Sequence, residues 1–259
     1  MMECKNCENS LRTDYSYCPD CGAKVIRNRI TVKNLWYDVI ERYFNLDNTF
    51  LRTIWHLFTK PEVVIGGYIN GIRKKYLNPI SYLGIALTLS GLMVFVIQKF
   101  YTNAIQFEDE INNAPFAKKW GEFAFDFNAF MFLLYFPVLA IPAYLLFNKV
   151  KYNFPEYILV FVYTMSHFSI VTFTISMAVL TIAADSYMLY SQLSLLVVLA
   201  YNLFVLQRLN KFSIGAFLTR SFTFSLMVAV LFFVLILGLM IVLLLIGVFD
   251  LQDFVPQPA

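Results

Sequence analysis

Charge is what this sequence has least of. Only 14% of its 259 residues are Asp, Glu, Lys or Arg, against about 25% in an ordinary globular domain. That shortage, beside long apolar runs, excludes a water-soluble globular protein and places the chain in the membrane class. Cysteine is absent after residue 21, so nothing beyond that point can be stapled by disulfides. Histidine occurs twice, at His56 and His167, which excludes a His-x-x-x-His metallohydrolase helix. There is no Ser-His-Asp set with recognisable spacing, no glycine-rich phosphate loop and no intramembrane carboxylate pair, so catalysis has little to rest on. The first residues show neither a basic stretch nor an apolar core of signal-peptide type. The expectation is therefore no cleavable leader, with the first apolar span directing insertion.

What is present begins with four cysteines. Cys4 and Cys7, then Cys18 and Cys21, form two Cys-x-x-Cys pairs ten residues apart. Two such pairs complete a four-thiolate tetrahedral shell, which leaves no open position for chemistry. Structural Zn²⁺ in a ribbon over residues 1–26 is the expectation. Paired redox motifs or disulfides are a weaker alternative, because no βαβ pattern surrounds them, and iron in a rubredoxin-like site is another. Gly22 suits the left-handed turn that closes the second knuckle. The ribbon sets Lys5 and Arg12 against Glu3, Glu8, Asp14 and Asp20, and a tetrathiolate zinc adds two more negative charges. Such a module does not attract phosphate, so no nucleic-acid partner is expected; a protein partner at the ribbon, or capping of the membrane domain, is. Tyr15 and Tyr17 either pack over the ribbon or offer an aromatic contact.

Residues 27–78 read as a basic linker with amphipathic juxtamembrane helices. Lys24, Arg27, Arg29 and Lys33 precede an apolar face of Leu35, Trp36, Val39, Ile40, Tyr43 and Phe44, with Asn34 as cap. A second segment covers 50–58, capped by Asp47 or Asn48. Trp36 and Trp55 suit a membrane interface, and packing on the bundle is the alternative. His56 reads as a polar-face residue. Pro61 opens a further helix, capped by Thr59 and smoothed by Gly66, Gly67 and Gly71. It leads to Arg73, Lys74 and Lys75, which either set topology or contact anionic lipid headgroups.

Five apolar spans follow within a bundle over residues 79–249, at about 80–98, 123–147, 157–183, 187–206 and 222–249. The fold class is thus an all-α membrane protein with about five transmembrane helices, an N-terminal cytosolic zinc ribbon and interfacial helices. Residues 250–259 form an external tail. Five spans put seventeen Lys and Arg on the side of the N-terminus and only Lys99, Lys118 and Lys119 on the other. The positive-inside rule then makes the N-terminus cytosolic and the C-terminus external. An intramembrane polar site, if there is one, involves Thr164, Ser166 and His167, with Asp126 as a further candidate. Interhelical hydrogen bonding is the plainer reading of the same residues. Pro137 and Pro142 are expected to loosen the second span. The last span, with no polar residue between Met227 and Phe249, reads as a lipid-facing anchor.

One stretch carries a family likeness. Lys60, Pro61, Val63, Val64, Ile65, Tyr68, Ile69, Gly71, Arg73, Tyr76, Asn78 and Pro79 spell a motif that lies behind a zinc ribbon and before several spans. This resembles an uncharacterised family of multispanning bacterial proteins, found chiefly in Bacteroidetes. The resemblance covers the ribbon through the first span. It implies a bacterial inner-membrane location and no particular substrate. The topology alone also looks like the Yip1 class of membrane-shaping and trafficking proteins. Together these observations favour a non-enzymatic adaptor or scaffold whose ribbon seats a partner, alone or as an oligomer. The alternatives are a lipid or small-solute transporter using a path near His167, and a membrane enzyme.

Overall fold

The computed structural model describes residues 2–4, 6–23, 25, 49–101 and 115–254. It divides into two compact units, Met1–Asp47 and Asn48–Ala259. The linker cations Lys24, Arg27, Arg29 and Lys33, the helix expected around Trp36 and the caps Asp47 and Asn48 lie outside the described residues, as do 102–114 and 255–259.

In the first unit, β1 (Met2–Glu3) pairs antiparallel with β2 (Ser10–Leu11), Met2 opposite Leu11. Its small core is Cys4, Leu11 and Cys18, with Tyr15, Ala23 and Val25 against it. Tyr15 thus takes the packing role, whereas Tyr17 is 57% exposed.

The second unit is helical among its described residues. Two short helices, α1 (Thr49–Thr59) and α2 (Pro61–Ile69), precede α3 (Pro79–Phe100). Then come α4 (Pro115–Asp126), α5 (Asn128–Leu146), α6 (Phe154–Ile182), α7 (Tyr187–Asn210) and α8 (Ile214–Leu245). A 3-10 turn, Ala184–Ser186, extends the fourth span. Five of these helices are long and apolar enough to cross a bilayer, so the chain is a multi-pass membrane protein. Of the five, α6 is the most buried and α8 the least.

The element bounds depart from the expected spans for identifiable reasons. The second span does not begin at 123. The helix there breaks at Phe127, which separates α4 from α5. On α4, Phe116, Trp120 and Phe123 recur at helical spacing, and Phe116 and Trp120 stack near Phe249. The helix is a surface element. The third span starts earlier than 157, because Asn153 and Glu156 form a capping box. The fifth starts at Ile214, not 222. Thr219 and Thr223 donate to carbonyls one turn back, and Arg220 reaches across to the Leu146 carbonyl at the end of α5. It stops at Leu245, not 249, because Gly247 adopts φ +76°. There the Gly247 amide bonds Leu244 and the Val248 amide bonds Leu243, the pairing of a Schellman stop. Pro137 and Pro142 both lie inside an unbroken α5.

Two further expectations are corrected near the hairpin. Lys60, not Thr59, precedes α2, and it makes no side-chain cap. The Thr59 hydroxyl donates to the Trp55 carbonyl instead. Gly71 does not smooth a helix face. It sits past the end of α2 at φ +94°, where the chain turns toward α3.

The apolar core gathers at one end of the bundle. Leu57, Val64, Ile65, Tyr82, Val160 and Tyr163 are among its fully buried members, joining α1 and α2 to the starts of α3 and α6. A second cluster around Phe136, Phe147, Phe161 and Phe224 joins α5, α6 and α8.

Candidate metal centre and buried polar cluster

The two knuckles of the ribbon are built alike. The Glu8 amide donates to the Cys4 carbonyl at 2.8 Å, and the Gly22 amide donates to the Cys18 carbonyl at 2.9 Å. Both closing residues are left-handed, Glu8 at φ +61° and Gly22 at φ +71°. The turns bring all four sulfurs within 4.8 Å of one another. Cys4 Sγ lies 3.6 Å from Cys21 Sγ, and Cys7 Sγ lies 3.6 Å from Cys18 Sγ. These separations are far longer than the ~2.05 Å of a disulfide. They suit a tetrahedral ion with metal–sulfur bonds of about 2.3 Å, whose sulfurs stand about 3.8 Å apart.

The thiols perturb one another. The Ala23 backbone, then the Asn6 side chain and the Cys7 sulfur, lower Cys21 to about 6. The Asn9 backbone lowers Cys7, but the Cys21 contact, desolvation and the other two sulfurs outweigh it and push Cys7 up to about 12. Crowded sulfurs cannot all lose their protons without a cation among them. A divalent ion would remove that conflict by taking all four as thiolates. The donor set therefore fits a metal ion.

The intramembrane candidates separate into two places. His167 on α6 is 1% exposed, and its Nδ1 hydrogen-bonds the Tyr82 hydroxyl of α3 at 2.8 Å. Phe58 of α1 meets the imidazole edge-on at 4.4 Å between centroids, and Tyr201 of α7 lies at 5.4 Å. The Thr164 hydroxyl donates to Asn202 Oδ1 at 2.7 Å, while the Asn202 amide donates to the Val198 carbonyl. Among the described residues, Ser166 Oγ and His167 Nε2 find no partner. Asp126 does not join this group. It is exposed at the end of α4, and its neighbour Asn128 accepts from Ser90, eight residues and about 12 Å further along α3 than Tyr82.

The tyrosine tips and Asn210 were not legible as a network. Tyr157 donates to the Phe147 carbonyl, Tyr163 to Leu77 and Tyr201 to Leu57. Asn210 Oδ1 accepts from the Lys149 amide. Each satisfies a backbone group at a helix terminus or in a connecting segment. The available signal was a hydroxyl or amide inside an apolar run, which must find a partner there.

His56 is paired, its Nδ1 2.7 Å from the Tyr76 hydroxyl. Arg73, Lys74 and Lys75 are exposed on the turn between α2 and α3.

A family model described as "Protein of unknown function (DUF3667)" matches residues 47–91, so in this region the chain is similar to an uncharacterised family. The match covers α1, α2, the basic turn and the first half of α3. That segment contributes Phe58 and Tyr82, two of the walls around His167. No curated protein and no solved structure matches the chain.

Proposed function

We propose that this chain is a non-enzymatic membrane adaptor of the bacterial inner membrane, whose metal ribbon seats a protein partner. The four-sulfur centre carries the reading: all four ligands come from the chain, so a bound ion has no position left for a substrate. Zinc suits that donor set best. In this reading the ribbon and N-terminus are cytosolic and the C-terminus external, which the unequal split of Lys and Arg supports. The exposed Tyr17 ring and the acidic surface are the ribbon's contact features.

The test places a photo-crosslinking amino acid at Tyr17 in cells, with and without Cys18→Ser/Cys21→Ser. A discrete protein adduct that disappears in the double variant is expected. No protein adduct, together with solute flux or lipid scrambling by reconstituted wild type, would overturn the reading.

A transport role is the second reading. The unpartnered Ser166 Oγ and His167 Nε2 favour it, since buried polar groups without partners are uncommon. It requires flux in liposomes that His167→Ala abolishes.

A further inference from the structure

The outer face of α1 is apolar although its inner face already fills the core. Thr53 and Leu57 are fully buried, and the Thr53 hydroxyl accepts from the Leu77 amide just before α3. On the opposite side, Leu51 is 63% and Trp55 67% exposed, and the half-exposed Phe58 ends the stripe where it meets His167.

The depth of this stripe follows from its inner contacts. Phe50 lies 6.2 Å from Tyr82, and Phe58 touches His167, the partner of Tyr82. Tyr82 stands three residues after Pro79, about 4.5 Å along α3. The 22 residues of α3 span about 33 Å, close to a bilayer's hydrocarbon thickness. The α1 helix therefore lies level with the entry of the first span, at the depth where an amphipathic helix and a tryptophan ring are most favoured. His167 is thirteen residues after Phe154, about 20 Å along α6, so α6 begins well outside that entry level.

Cations approach α1 through Tyr76, whose hydroxyl His56 of α1 meets at 2.7 Å. Arg73, Lys74 and Lys75 are exposed, and among the described residues none is paired with a carboxylate. Arg73 rests 5.5 Å over the Tyr68 ring and Lys75 5.7 Å over Tyr76. Arg52 of α1 is close enough to Tyr76 for its charge to oppose the rise that burial imposes on that phenol. Glu62, the acidic residue of α2, is taken by Arg208 at 2.7 and 3.1 Å. Arg52 and Lys75 thus meet at Tyr76 beside α1, with Arg73 and Lys74 exposed on the same turn, near the entry level of the first span.

We propose that α1 and the turn after α2 form a binding site for an anionic phospholipid. Its phosphate sits among Arg52, Arg73, Lys74 and Lys75, and its acyl chain lies along Leu51, Trp55 and Phe58. Guanidinium and ammonium donors suit a phosphodiester, and each basic residue near the surface adds to the preference for negative lipid. The site is independent of what the ribbon binds.

The test uses the full chain in nanodiscs, with Trp36→Phe and Trp120→Phe leaving Trp55 as reporter. Brominated phosphatidylglycerol or brominated phosphatidylcholine is added as a minor component in otherwise neutral lipid. Trp55 should be quenched at about fivefold lower content of the anionic lipid. Arg73→Gln/Lys74→Gln/Lys75→Gln should remove that preference, and Lys74→Arg/Lys75→Arg should keep it. Equal quenching by both lipids overturns the proposal, as does a preference that survives the triple variant. Absence of quenching by either lipid also overturns it and assigns the stripe to protein cover. Inorganic phosphate should not relieve the quenching, and relief would assign the cations to free phosphate.

Discussion

The ribbon and the bundle solve the same problem with opposite means. The ribbon's core is three residues, two of them cysteines, so its apolar surface is too small to hold a fold. Its four sulfurs converge on one point. The bundle has no comparable single point. Its packed end is distributed over two apolar clusters, with polar tips satisfied one by one. The difference teaches where each region is vulnerable: the ribbon to loss of one ligand, the bundle only to many small losses.

On the proposed metal-bound ribbon, removing the ion should break the comparison most sharply. Chelation, or Cys18→Ser, should unfold the ribbon with a loss on the order of 10 kcal/mol of metal-linked folding energy. The bundle's melting in detergent should not move, and amide exchange read separately over residues 2–25 and 49–101 checks both halves. In the bundle, Leu57→Ala should cost about 3 kcal/mol by leaving a cavity between α1 and the spans. Thermal melting should show that cost while metal content stays unchanged. Tyr82→Phe should cost about 1–2 kcal/mol, since it strips His167 of its Nδ1 partner. The same melts detect it. Returning to the ribbon, Glu8→Gly should stabilise by about 0.5–1 kcal/mol, because a left-handed glycine carries no Cβ strain. A competition titration against a chelator reads the gain as tighter metal binding.

The smallest effect belongs to acid. Asp253 is held below the usual carboxylate range by the Asp250 amide and by Lys119, whose Nζ lies 2.7 Å away. A lowered carboxyl stabilises the folded state above its unfolded pKa, and that contribution is lost as pH falls through the folded value. The contact between α4 and the Leu251–Phe254 turn should therefore hold at neutral pH and weaken in acid. Trp120 emission, with the other two tryptophans replaced by Phe, should report the change. An emission unchanged down to strong acid would count against the clasp.

Much of this was legible in the residues. The Cys-x-x-Cys spacing dictates converging sulfurs because a knuckle needs only local turns. The spans were legible because apolar length alone defines a crossing helix. Their ends were less so. Asn153 with Glu156 is a readable start signal and Gly247 a readable stop signal, both of which hydropathy alone overrides. The break at Phe127 has no such local mark. It places α4 against Phe249 and Phe254, residues more than a hundred positions away. The polar cluster was half legible. Thr164, Ser166 and His167 stand out in an apolar run, whereas Tyr82 and Tyr201 look like ordinary aromatic residues until the helices meet.

The sequence by itself determined that four cysteines can meet at one point, the membrane class and five helices long and apolar enough to cross, because each depends on local spacing or on length. Only the tertiary structure decided that Thr164 is answered by Asn202, that Asp126 stands apart from His167, and that α1 has one face in the core and one outside. Those outcomes depend on which helices are neighbours and at what relative height. Side-chain complementarity between elements distant in sequence sets both, and no local pattern records it.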